Sequence, residues 1–180
     1  FNRTFLAFIL GAGEGFQPVA GYNYGAKKFD RVKKSYTFSL KIMLLAMLII
    51  SGAMFALSSD LIAVFQPDPD VVKIGTFSLR LQCLTFLFQP FLIATNMLYQ
   101  STGHAKGATF LALLRNGIFY YPLVFTLPHF LKLLGVQLVQ PLADILSALT
   151  AIPFGVHFMR NLDKKIAEQK SSAPQKRKAE

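Results

Sequence analysis

Phe38-Ser39-Leu40-Lys41-Ile42-Met43-Leu44-Leu45-Ala46-Met47-Leu48-Ile49-Ile50-Ser51-Gly52-Ala53-Met54-Phe55-Ala56-Leu57 decides the class of this chain. The stretch carries one charge, Lys41, over a length that crosses a bilayer, for which a helix needs about 20 mostly apolar residues. Working outward, Ile74 to Tyr99, Ala108 to Leu131 and Val136 to Met159 are also long and apolar. Phe5 to Ala26 is apolar too, but rich in glycine. In hydrocarbon every backbone polar group must be satisfied within its segment or by surrounding protein, so segments of this kind are helices. The sequence predicts an all-α fold, a polytopic transmembrane helix bundle with about five membrane helices, at approximately 1–26, 36–65, 71–101, 108–131 and 136–160. A disordered, basic cytoplasmic tail is expected over 163–180.

The net charge of +10 is not spread evenly. Basic residues in short loops are retained on the cytoplasmic side. Lys27, Lys28, Arg31, Lys33 and Lys34 therefore predict an inside loop, and Gln66-Pro67-Asp68-Pro69-Asp70, with no basic residue, an outside one. His104 and Lys106 fall inside, the turn near Lys132 outside, and the tail after Arg160 inside. This alternation predicts a multi-pass protein of the cell (inner) membrane with a cytoplasmic C-terminus and the lipid bilayer as its surroundings. The positive charge is thereby topological, and no nucleic-acid partner is expected.

Catalytic machinery is not evident in the sequence. Cys83 is the sole cysteine, and with His104, His129 and His157 near different span ends no metal set is expected. Phosphate-loop and nucleophile-elbow patterns are absent, so no enzyme and no cofactor are expected. The chain begins at Phe1, inside an apolar segment, and is read as the C-terminal part of a longer protein.

Polar residues inside the spans are the candidate functional groups. Gly11, Gly13 and Gly15 with Pro18 weaken the first helix, which makes it either a hinge or a surface for close helix packing. Glu14 lies about 18 Å from the cytoplasmic lysines at 1.5 Å per residue. A carboxylate at that depth costs about 2.5 to 3.5 kcal/mol. It either marks an ion, proton or substrate path or stays protonated and bonded to a neighbouring helix. Gln82, Thr85, Gln89, Asn96 and Gln100 fall within about 60° on one helix face. That stripe predicts a hydrated cavity in preference to packing alone. Arg80 faces the other way, where snorkelling or pairing suits it. Arg115 is too deep for free solvation and needs a partner. Gln137, Gln140, Asp144 and Ser147 share a face, and Pro141 suggests that Asp144 is a first-turn acid favoured by the helix dipole.

Gly13-Glu14-Gly15-Phe16-Gln17-Pro18, then Gly21-Tyr22-Asn23-Tyr24-Gly25-Ala26-Lys27-Lys28, resemble the second-lobe signature of multidrug and toxic compound extrusion (MATE) transporters, the DinF-like or MepA-like branch in particular. Tyr99 to Lys106, Leu114-Arg115-Asn116 with Pro122, and Gln140 to Asp144 resemble later segments of the same lobe. The resemblance implies a secondary antiporter of two six-helix lobes that exports cationic or amphipathic, drug-like compounds in exchange for sodium ions or protons by alternating access. This chain corresponds to the end of helix eight and helices nine to twelve, so the first lobe would be its missing partner. Glu14 and Gln17, with the polar face bearing Gln82, Thr85, Gln89 and Asn96, would line the second-lobe wall of the cavity. Tyr22, Asn23 and Gly25 would form a structural helix end. Some relatives carry an acidic residue in helix ten where this chain offers Gln82 and Gln89. A lipid-linked saccharide flippase of the same superfamily and a non-transporting membrane scaffold are the alternatives.

The charge alternation makes a direct prediction. In a Cys83→Ser background, single cysteines replacing Lys28 and Asp68 should react with an impermeant maleimide from opposite sides of the membrane; labelling from one side would overturn the topology.

Overall fold

The computed structural model describes residues 2–65 and 68–176. It is a helical bundle of α1 (Asn2–Gly25), α2 (Phe29–Ala56), α3 (Ser58–Phe65), α4 (Pro69–Phe86), α5 (Gln89–Ser101), α6 (Ala105–Leu113), a π-helical turn (Leu114–Ile118) and α7 (Tyr120–Lys176). Helices α2 and α7 are long and apolar enough to cross a membrane. So is the pair α4 and α5 taken together across its 46° bend. The chain is thus the expected all-α membrane bundle, with its interruptions placed differently from the sequence-based spans.

Each interruption has a local cause. The run expected as one helix over 71–101 breaks at Leu87 and Phe88, because the Pro90 ring crowds the preceding turn. Asp68 caps α4, its side chain accepting from the Asp70 amide at 2.9 Å with Pro69 in the first turn. Gly103 ends α5 with φ of +79°, which lets the His104 amide return to Tyr99 O at 2.9 Å. At the end of α1 the left-handed residue is Lys27, with φ of 56°, rather than Gly25. The Lys28 amide then bonds Asn23 O at 2.8 Å. The chain stays helical through Pro122 and Pro128, where a bend was expected. The departures lie at the π turn, closed by Phe119 N to Leu114 O at 3.2 Å, and at Lys132, with φ of 50°. At Lys132 the chain folds back so tightly that any Cβ on Gly135 would collide with the Leu127 carbonyl.

Small residues set the helix spacing. Gly13 lies against Met97, and a Cβ on Gly21 would stand 3.0 Å from Ser101 O, so one face of α1 approaches α5 closely. Phe16, Ala20, Met43, Met47, Leu92, Ala94 and Leu98 fill the interior around this contact. Tyr36 Oη and Thr95 Oγ1 meet there at 3.0 Å. The outer side of α2, including Phe38, Leu45, Leu48 and Ile49, is exposed, as lipid-facing residues are.

The disordered tail expected from Asp163 is corrected by the structure, because α7 continues as helix to Lys176. Leu162 and Ile166 are buried and extend the inner stripe of the helix by another turn. Three polar contacts tie this extension to the turn between α1 and α2. Lys33 pairs with Asp163 at 2.6 Å, Lys165 donates to Tyr24 Oη at 2.9 Å, and Gln169 donates to Lys27 O at 2.9 Å. Residues 177–180 lie outside the described set.

Gly135→Ala should lower thermal stability in detergent by about 1 to 3 kcal/mol, since backbone must move to admit the methyl group. Gly11→Ala, with nothing within 4 Å, should be neutral or stabilising in the same melting measurement.

Candidate functional site

The stripe expected to line one cavity is divided between two places. Because α4 and α5 meet at an angle, Gln82 and Thr85 turn toward α7, while Asn96 and Gln100 turn toward α1 and α6. The sequence-based reading of one continuous polar wall is corrected accordingly; an ideal helix was assumed across a proline that bends it.

The first place is an open cleft of about 410 Å³ between α1, α5 and α6. Its polar side is Glu14, Gln17, Asn96 and Gln100, and its apolar side includes Leu92, Ile93, Met97 and Leu111. The amides form a chain. Gln17 Nε2 donates to Gln100 Oε1 at 3.2 Å, Gln100 Nε2 to Asn96 Oδ1 at 2.5 Å, and Asn96 Nδ2 to Ala108 O at 2.6 Å. The chain therefore ends on a backbone carbonyl of α6 and holds three helices in register. Glu14, one turn before Gln17, is exposed to the cleft and makes no hydrogen bond or ion pair among the described residues. Such an arrangement presents one carboxylate, neutral amides and an apolar wall. Chemically it suits a cation with an apolar body.

The second place is buried. Asp144, 2% exposed, accepts from Gln82 Nε2 at 2.9 Å and Gln140 Nε2 at 3.1 Å. Gln82 also donates to Thr85 Oγ1 at 3.3 Å, and Thr85 returns a bond to Gln82 O at 3.0 Å. The first-turn reading of Asp144 is thereby corrected. Pro141 and Asp144 sit in the middle of α7, and the carboxylate joins α4 to α7. Gln89 and Ser147 are buried as well, and their side-chain polar atoms have no partner among the described residues.

The remaining residues are placed as follows. Gly13 serves close packing against Met97. Pro18 is exposed inside a continuous α1, and Tyr22 is exposed as well. Asn23 is buried and donates to Val19 O at 2.7 Å, bracing the end of α1. Gly25 is the last residue of α1 and stands in open space. Arg80 donates to Ser58 at 2.8 Å and lies 5.3 Å from the Phe55 ring centre, away from both polar places. Arg115 falls in the π turn, and its side chain lies outside the described set. Sequence reasoning missed the apolar wall supplied by Met97 and Leu111, since an apolar residue in a membrane helix carries no sign of which neighbour it meets.

Residues 1–126 match the MatE family model, and the chain belongs to that family of multidrug export transporters. It is not an enzyme family. Multidrug export protein MepA of Staphylococcus aureus (strain MSSA476) is 29% identical over 146 residues, covering 80% of this chain and 32% of the relative. MepA of Staphylococcus saprophyticus is 26% identical over 144 residues. Among solved structures, the MATE multidrug transporter DinF-BH, in complex with a small molecule, is similar at 33% identity and a TM-score of 0.74, over 86% of this chain and 34% of that one. An inward-facing MATE family transporter of the MOP superfamily superposes with a TM-score of 0.80 at 18% identity, covering 90% of this chain and 38% of that one. The chain thus spans about a third of the length of the curated relatives it matches.

Asp144→Ala should destabilise the bundle by about 1 to 3 kcal/mol, because the Gln82 and Gln140 donors lose their acceptor inside a dry interface. Thermal melting in detergent checks this. Restored stability on replacing Gln82 and Gln140 by leucine as well would identify the loss as unpaired donors.

Proposed function

We propose that this chain forms part of the second lobe of a secondary antiporter that exports cationic or amphipathic compounds in exchange for sodium ions or protons, and that the Glu14 cleft is its contribution to the substrate and ion path. The observation that carries the proposal is a single carboxylate exposed in an open cleft that combines neutral amides with an apolar wall. An intramembrane acid with no local partner is costly unless water or a passing cation reaches it. The proposed arrangement has the cleft opening toward a first lobe, with the two lobes rocking around it, the basic end of the bundle in the cytoplasm and the protein in the cell membrane.

Lining chemistry favours this over a flippase for lipid-linked saccharides. An anionic headgroup calls for lysines or arginines, and the described lining of the cleft contains none. A coupling ion would act by its different affinity for the two states, with Glu14 as the group that senses it. A lipophilic cationic dye, which pairs a positive charge with an apolar body, is the test compound that the cleft chemistry selects.

In a transporter assembled with this segment, Glu14→Gln should lower efflux of such a dye at least about tenfold at equal membrane abundance, while Glu14→Asp retains part of it. Unchanged efflux by Glu14→Gln would remove the cleft from the transport path.

A further inference from the structure

A second pocket, of about 270 Å³, lies at the basic end of the bundle where α1, the α5–α6 turn and the extension of α7 meet. Lys164, Lys165, His104 and Asn161 line it, over a floor that includes Tyr24 and Phe158. Its position is built rather than incidental. The His104 ring lies 6.1 Å from Tyr24 and 5.4 Å from Phe158, between ring centres, and its Nδ1 meets Thr102 Oγ1 at 3.0 Å. Lys165 Nζ bonds Tyr24 Oη at 2.9 Å and sits 5.0 Å from the centre of that ring. Accepting from Lys165 leaves the Tyr24 hydroxyl proton to donate elsewhere. Lys164 makes no hydrogen bond or ion pair among the described residues. Glu168 shares the rim, so two cations outweigh one anion.

About one turn further into the membrane-facing part of α7 an apolar trough of about 350 Å³ is formed by Tyr99, Pro153, Phe154 and His157. The two are joined through Tyr99, whose ring centre is 5.1 Å from that of Phe158. His157 Nε2 and Asn161 Nδ2, one residue from each place, meet at 2.9 Å. A cationic pocket continued by an apolar trough matches a phosphate joined to an acyl chain, whereas a soluble phosphate would leave the trough unused.

We infer that the Lys164 pocket binds the phosphate of an anionic phospholipid, with one acyl chain along the Tyr99 and Phe154 trough. The phosphate oxygens accept from Lys164, Lys165 and Asn161, and the Tyr24 hydroxyl supplies a further donor. Bound there, the lipid bridges α7 to the α1 and α5 ends that the extension already clamps. This inference needs only the membrane bundle and stands apart from the transport reading.

Native mass spectrometry of the purified full chain, with phosphatidylglycerol and phosphatidylcholine of identical acyl chains, tests it. Phosphatidylglycerol should be retained preferentially. Lys164→Gln should reduce that preference about fivefold, and Lys164→Arg should keep it. Circular dichroism should show both variants folded, since Lys164 holds no structural contact. Equal retention of the two lipids by the unaltered chain, or an unchanged preference in Lys164→Gln, would overturn the site. Displacement of phosphatidylglycerol by millimolar inorganic phosphate would overturn the lipid assignment in favour of a soluble phosphate.

Discussion

Hydrocarbon offers no hydrogen bonds, so each polar group that this chain carries into the bilayer has to be answered by another part of the chain. That constraint explains most of the architecture. Asp144 is answered by Gln82 and Gln140, which ties α4 to α7. Asn96 is answered by the Ala108 carbonyl, which ties α5 to α6, and the amide chain continues through Gln100 to Gln17 on α1. Apolar attraction between helices is weak when lipid tails are equally apolar. Polar ties and close approaches at Gly13 and Gly21 therefore decide which helices are neighbours.

Glu14 stands out against this background because the described residues leave it without a partner while its polar neighbours on the cleft bond one another. A structural acid would be expected to look like Asp144, buried and held by two amides. The contrast between the two carboxylates separates a group that holds helices together from one that is open to an ion or ligand. It is also the reason the cleft, rather than the buried cluster, carries the functional proposal.

Local backbone chemistry distributes these roles. Pro90 bends the path of α4 and α5 by 46°, so residues that share one ideal helix face end up serving different interfaces. The reversal at Lys132 brings 133–176 back along the bundle, and its extension beyond Leu162 closes on the end of α1. The same closure places Lys164 and Lys165 beside His104 and Tyr24, which are distant in sequence.

Apolar runs such as Phe38 to Leu57 determined the helical membrane class, because length and hydropathy act locally and the bilayer leaves few backbone alternatives. The sequence also marked Glu14, Gln17, Gln82, Asn96 and Asp144 as polar groups in apolar surroundings. Which of them meet was decided by tertiary structure. A periodicity argument treats the helix as straight, and Pro90 makes it bent; it treats Pro141 as a helix start, and the packing of α7 carries the helix through it. Leu162 and Ile166 lie in a charged stretch that reads as a tail, and only their burial against the rest of the bundle turns that stretch into helix. Composition acts residue by residue, whereas a partner across the bundle depends on where the chain turns.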